Sequence, residues 1–294
     1  MYYRRKILLA LLQAFEGRLD KLSLQKLLFL LTRQQDKKNY DFVPYKYGCF
    51  SFQANADLHT LTKYNLVNEN TNSWECIDET VYIDTLKKED KAIVLHTKHQ
   101  FGKLSTNELI KLTYLKYPYY ATKSTIAKEV LNAQELVKVE ELKREGKETI
   151  LFTIGYEGIS LENYLNKLII NDVKVLCDVR KNSYSMKYGF SKSQLSNACI
   201  GVGIKFVHIP EVGIQSDKRK ELNSQSDYDI LFKDYTKIVL SKEVEKQKEI
   251  FHLLKNEKRI ALTCFEKNID QCHRKHLAKS IAGLKGFNYS VKHI

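Results

Sequence analysis

The sequence predicts two domains. The C-terminal half reads as an α/β domain, a mostly parallel sheet with helices on both faces, preceded by a mainly helical, winged-helix-like domain. Three observations predict this. After Thr149, apolar runs of strand length (ILFTI, VKVLCDV, IKFVHI, IALTC) alternate with helical spacings, the rhythm of a sheet covered on both sides. Before it, three helical periodicities lead into a short hairpin pattern, the order of a winged helix. Between them lies KVEELKREGKE, Lys138 to Glu148, charged enough to read as a solvated linker. The domains are therefore set at residues 1–148 and 149–294.

In the first half, Ile7 to Phe15 is a helix with Leu8, Leu11, Leu12 and Phe15 inward. Gly17-Arg18-Leu19 reads as a turn, and Ser23 as the cap of a helix from Leu24 to Arg33. An aromatic segment follows, Phe42 to Phe52, whose rings suit a packed core or stacking on bases. Asn55 to Tyr64 is a third helix. Leu66-Val67 and Val81-Tyr82-Ile83 flank a turn as two short strands. Leu86 to Lys91, LKKEDK, reads as a charged turn. A helix starts at Ser105 or Thr106, with Glu108 in its first turn, and ends before Pro118. A shorter one spans Ser124 to Leu131. The stretch LQKLLFL followed by YKYGCFS resembles a helical module of bacterial antitoxin and regulatory proteins, with Cys49 where that pattern has Pro.

In the second half, Ile150–Ile154 is the first strand and Ser160–Ile170 a helix. Val173–Val179 is the second strand, and Ser191 caps a helix to Cys199. Ile204–Ile209 is the third strand, Tyr228–Lys255 a long helix or a pair, and Ile260–Cys264 the fourth strand. Gln271–Ala282 is the last helix, with Tyr289–His293 as an edge strand.

The chain has 294 residues, enough for two domains. Its six cysteines lack framework spacing, which fits a reducing, cytoplasmic setting better than a disulfide scaffold. The N-terminal MYYRRKILLALLQAF is too short and too interrupted to be a membrane segment, so no membrane partner is expected. Net charge is +13, with 24 Lys and Arg against 19 Asp and Glu in residues 1–150 and 24 against 16 in residues 151–294. An excess spread over both halves points to a polyanionic partner, most simply DNA or RNA.

Ligands of open α/β sheets bind beyond the carboxyl ends of the strands. Those exits carry Gly155-Tyr156-Glu157-Gly158, then Asp178 with Arg180 and Asn182, then Pro210-Glu211, then Cys264, Glu266 and Cys272-His273-Arg274. The motifs TIGYEG, CDVRKNSYS with GFSK, HIPEVG, and LTCFEK with CHRKHLA resemble the family Domain of Unknown Function 488 over about residues 150–285. That resemblance implies an α/β fold and a frequent pairing with a helical, DNA-binding-like module. It implies little about activity.

Among these residues, Cys272 at a helix start beside Arg274 is a candidate nucleophile, since a helix N-terminus and a cation favour the thiolate. Its alternative is a small buried residue. His273 suits acid–base work, with His276 three residues on. Glu157, Asp178 and Glu266 are candidate acids and bases, alternatively ion partners of Arg180 and Arg274. Tyr156 suits stacking or hydrogen bonding. Gly155 and Gly158 permit a tight turn against a ligand. Arg180, Asn182, Cys264 and Arg274 are candidate substrate-binding groups. Zinc on Cys264, Cys272, His273 and His276 is disfavoured by the seven residues between the thiols and by adjacent Cys-His ligands. No metal and no cofactor are expected. The Asp-Val-Arg run and the late Cys are shared with rhodaneses and phosphatases, but their Cys-x5-Arg loop is absent: the sixth residue after Cys264 is Asp270.

The expected function is a nucleic-acid- or nucleotide-directed enzyme with its site on the carboxyl edge of the C-terminal sheet. The alternative is a DNA-binding regulator whose α/β domain senses a small anion. A toxin–antitoxin role is a third reading, resting on the first-half resemblance alone.

Overall fold

Six consecutive apolar residues, Ile7 to Leu12, are fully buried in the first helix, α1 (Tyr3–Ala14), so this helix is enclosed on all sides rather than amphipathic. The computed structural model describes residues 1–215 and 222–294. The chain divides into two units, Met1–Lys143 and Arg144–Ile294.

In the first unit, Gly17 turns the chain at φ +78 and a short strand follows at once, β1 (Arg18–Asp20), where the sequence predicted only a turn. Asp20, not Ser23, caps α2 (Lys21–Thr32): its carboxylate accepts the Ser23 amide at 2.9 Å. The aromatic segment forms a hairpin, β2 (Val43–Tyr45) with β3 (Gly48–Phe50). Tyr45, Phe50 and Phe52 pack ring against ring within 5.5 Å. Ser51 caps α3 (Phe52–Lys63). Then come β4 (Val67–Glu69) and β5 (Ser73–Cys76), in a three-stranded antiparallel sheet of order β1-β5-β4. The second strand of the expected hairpin thus lies at Ser73–Cys76 and not at Val81–Ile83. Trp74 anchors it in the core opposite Leu19, whereas Tyr82–Thr85 is a 3-10 turn.

The charged LKKEDK run is also no turn: Lys88 begins α4 (Lys88–Phe101), with Glu89 and Asp90 in the first turn, where the helix dipole favours acids. α5 (Thr106–Lys116) carries the expected capping box of Ser105 and Glu108. α6 (Ala127–Val130) and α7 (Ala133–Glu141) complete the unit. α7 extends into the stretch read as linker because Val139 is buried.

The second unit is a five-stranded parallel sheet with helices. Its elements run β6 (Ile150–Gly155), α8 (Leu161–Ile170), β7 (Val175–Asp178), α9 (Lys192–Gly201), β8 (Lys205–His208), α10 (Gln225–Asp234), α11 (Val244–Glu257), β9 (Arg259–Cys264), α12 (His273–Ala282) and β10 (Ser290–His293). Strand order is β10-β6-β9-β7-β8. Of the two readings of Tyr228 to Lys255, one long helix or a pair, the structure has the pair, α10 and α11, with a π-helical turn between them, Tyr235–Leu240. All six residues of the central β9 are buried, as a strand covered on both faces requires. Leu151, Val175, Cys177, Ile260 and Leu262 pack against α11 and α12. Alternate residues face the other way, where Tyr164 of α8 donates to Thr263 at 2.7 Å.

Candidate active site at the carboxyl edge of the sheet

β9 leads into α12 on one face, while its neighbour β6 leads into α8 on the other. Neighbouring connections that leave to opposite faces open a crevice at the strand ends. A cleft of about 290 Å³ lies there, lined by Tyr156 after β6, by Arg180–Asn182 and Tyr184–Met186 after β7, and by Cys264, Phe265 and His273 around β9 and α12.

Its wall is an internal network. Arg180 grips Asp178 with both arms of its fork, at 2.8 and 2.6 Å, and Asp178 also accepts the Arg180 amide. The third arm donates to the Tyr156 hydroxyl at 2.7 Å and to the Phe190 carbonyl at 2.9 Å. Asp178 is 0% exposed, so its charge is met within the protein. The Asp178 partner raises the Arg180 pKa above its ordinary value, although burial opposes it. The Tyr156 ring lies flat on Phe190, centroids 4.2 Å apart.

The β6 and β9 exits touch backbone to backbone. A Cβ on Gly155 would sit 1.9 Å from the Glu266 carbonyl oxygen, so only glycine fits. The amides of Tyr156 and Glu157 both donate to the Phe265 carbonyl. The Glu157 carboxylate is exposed and accepts the Lys267 amide at 2.9 Å. Gly158 supplies the positive φ of the turn, +76, with open space around it. Among the described residues Arg274 is in no ion pair with Asp178 or Glu266, the alternative to its reading as a substrate-binding group. It is buried, and it donates to the Glu266 and Lys267 carbonyls at 2.5 and 3.3 Å, tying down the loop after β9.

The reactive groups meet at the cleft floor. His273 Nε2 donates to the Val179 carbonyl at 3.1 Å, which leaves Nδ1 with the lone pair. That Nδ1 is 3.4 Å from Cys264 Sγ and 4.0 Å from Cys272 Sγ. Cys264 Sγ is also 3.1 Å from a Glu266 carboxylate oxygen. Burial pushes the Cys272 thiol well above its ordinary pKa, and the Cys264 neighbour adds to this. This desolvation works against the thiolate that the helix start and Arg274 favour, and the burial of Cys272 accords with its alternative reading as a small buried residue. Cys264, not Cys272, lines the cleft. His276 stays out of the group and packs on Phe232 at 4.5 Å.

Asn182 lines the cleft, its side chain accepting the Tyr184 amide. The lining residues that sequence reasoning did not single out include Lys181, Tyr184, Met186 and Phe265. The three on the 181–186 loop lie inside the quoted CDVRKNSYS segment and just beyond it, and their signal was exposed apolar side chains beside cations at a strand exit. In the structure Tyr184 is 75%, Met186 94% and Phe265 43% exposed at the mouth.

Residues 160–281 match the family model described as Domain of unknown function DUF488. No curated protein matches the chain. The matched span holds β7, β8, β9, the Asp178–Arg180 pair and the Cys264–Cys272–His273 group. The C-terminal half of the chain is thus similar to the DUF488 family over residues 160–281.

Proposed function

We propose that the protein is an enzyme acting on a nucleotide or nucleic acid, with the reaction at the carboxyl edge of the C-terminal sheet. The observation that carries this reading is the juxtaposition of exposed Tyr184 and Phe265 rings with Lys181 and Asn182 over a buried thiol–imidazole pair. Aromatic rings stack on any base, at about 1–3 kcal/mol each, while Lys181 meets a phosphate as a point charge. Cys264 and His273 supply the chemistry below. Tyr156, Asp178 and Arg180 are positioning residues, because their polar groups are taken up by one another. The test is turnover of labelled DNA, RNA and nucleotides by the full chain. Cys264→Ala is expected to abolish product, and Tyr184→Ala to raise KM about 5- to 150-fold with kcat kept. Product unchanged by Cys264→Ala sinks the assignment.

A second reading, a DNA-binding regulator, is favoured by the first unit. Its order α1-β1-α2-α3-β4-β5, with a hairpin before α3, supports a winged-helix reading, which would set α3 in a groove and the β4–β5 hairpin beside it. The net charge of +13 supports a polyanion under either reading. Tight binding of DNA with no product from any substrate would move the assignment to this one. No helix among the described residues is long and apolar enough to cross a membrane. The cysteine usage supports a cytoplasmic setting.

A further inference from the structure

We propose that Cys264, Cys272 and His273 bind a zinc ion at the floor of the cleft, with Glu266 beside it. Their donor atoms, two sulfurs and Nδ1, all lie within 4.8 Å of one another. The two S–N distances, 3.4 and 4.0 Å, bracket the roughly 3.5 Å between ligands at about 2.3 and 2.0 Å on a tetrahedral ion. The Val179 carbonyl holds the proton of His273 on Nε2 and turns the Nδ1 lone pair toward the sulfurs. Such an outer hydrogen bond is what orients a metal-binding imidazole.

In the sequence, the seven residues between the thiols and the strain of adjacent Cys and His ligands on a tetrahedron disfavour zinc. Cys272 is still extended, at φ −131 and ψ 132, while His273 opens α12. That change of backbone lets adjacent side chains converge on one point. Charge also fits: both thiols lose their protons to solvent on loading, the imidazole keeps its Nε2 proton, and two thiolates neutralise the divalent ion in a buried place. Two sulfurs and a nitrogen select zinc over magnesium or calcium.

Three protein ligands leave one position for water or substrate, the pattern of catalytic rather than structural zinc. Cys264 and His273 line the cleft and Cys272 does not, so the open position is assigned to the cleft side. Glu266, 3.1 Å from Cys264 Sγ, is placed to take a proton from a bound water. Only this last role rests on the enzymatic reading; the metal site stands without it.

The experiment is zinc loading of the metal-stripped full chain, desalting, and elemental analysis, with cobalt loading followed by absorption spectroscopy. One zinc per chain and a thiolate-to-cobalt charge-transfer band are expected. Cys264→Ser, Cys272→Ser and His273→Gln should lose the zinc, and Glu266→Gln should keep it. Substoichiometric zinc on the wild type, or a cobalt spectrum without the thiolate band, overturns the proposal, and neither depends on a variant folding. Wild-type zinc content in all three ligand variants overturns it too. Turnover that survives metal stripping overturns the role given to Glu266 on a zinc-bound water and leaves both the enzyme and the binding site. Bound zinc without turnover supports the metal and counts against the enzyme.

Discussion

Arg180 shows how little a residue's identity says about its work. The sequence marked Asp178, Arg180 and Tyr156 as site residues, and the structure joins all three into one wall of the cleft. An ion pair with Arg180 was the sequence's alternative for Asp178, and the structure selects it: Arg180 folds back on the carboxylate two residues earlier and engages both its oxygens. Arg180→Ala strands a buried carboxylate, and the expected cost is about 3–5 kcal/mol, read as a lower urea midpoint. A midpoint within error of wild type would refute that account of the pair. Gly155→Ala is the second residue-scale test. Its Cβ meets a backbone oxygen that no rotamer change can move, so about 1–3 kcal/mol should be lost. Gly158→Ala tests backbone conformation alone, since nothing crowds it but its φ is positive. Cys272 was legible as reactive by type and position, but burial, which sequence does not display, reverses the expected sense of its pKa.

Elements with continuous apolar runs were legible; those set by one anchoring residue were not. β7 and β9 are read directly from VKVLCDV and IALTC because both their faces are covered. β1 and β5 are three and four residues long, and Trp74 rather than any periodicity places β5. α4 was hidden because its charged first turn looks like a loop until the dipole is considered. The edge strand β10 gives an element-scale prediction. His293 pairs with Thr153 of β6 at 2.7 Å, and its pKa is lowered below 6.5, first by burial and then by Arg274 and Lys275. Between that lowered value and 6.5 the unfolded chain holds the proton and the folded one does not. Stability therefore rises with pH through this window and falls as pH drops below 6.5. His293→Gln should flatten that part of a pH series of thermal midpoints. An unchanged slope would show that His293 does not carry it.

At the scale of the molecule, the charge excess in both halves was visible from composition alone, whereas the strand order was not, because parallel pairing leaves no local trace. The excess predicts that DNA affinity falls about 3.5-fold per phosphate contact as salt rises from about 50 to 200 mM. Salt-insensitive binding would remove the polyanion reading for both proposed functions. The strand order has a consequence for biosynthesis. β9 lies between β6 and β7, yet it is the fourth of the five strands to be made. Until Arg259–Cys264 has left the ribosome, β6 has no neighbour, and β7 has only β8. The nascent C-terminal half thus waits as two separate pieces with open strand edges, a state that exposes it to chaperones and to aggregation, and the thiol–imidazole group assembles only after the insertion that closes the sheet.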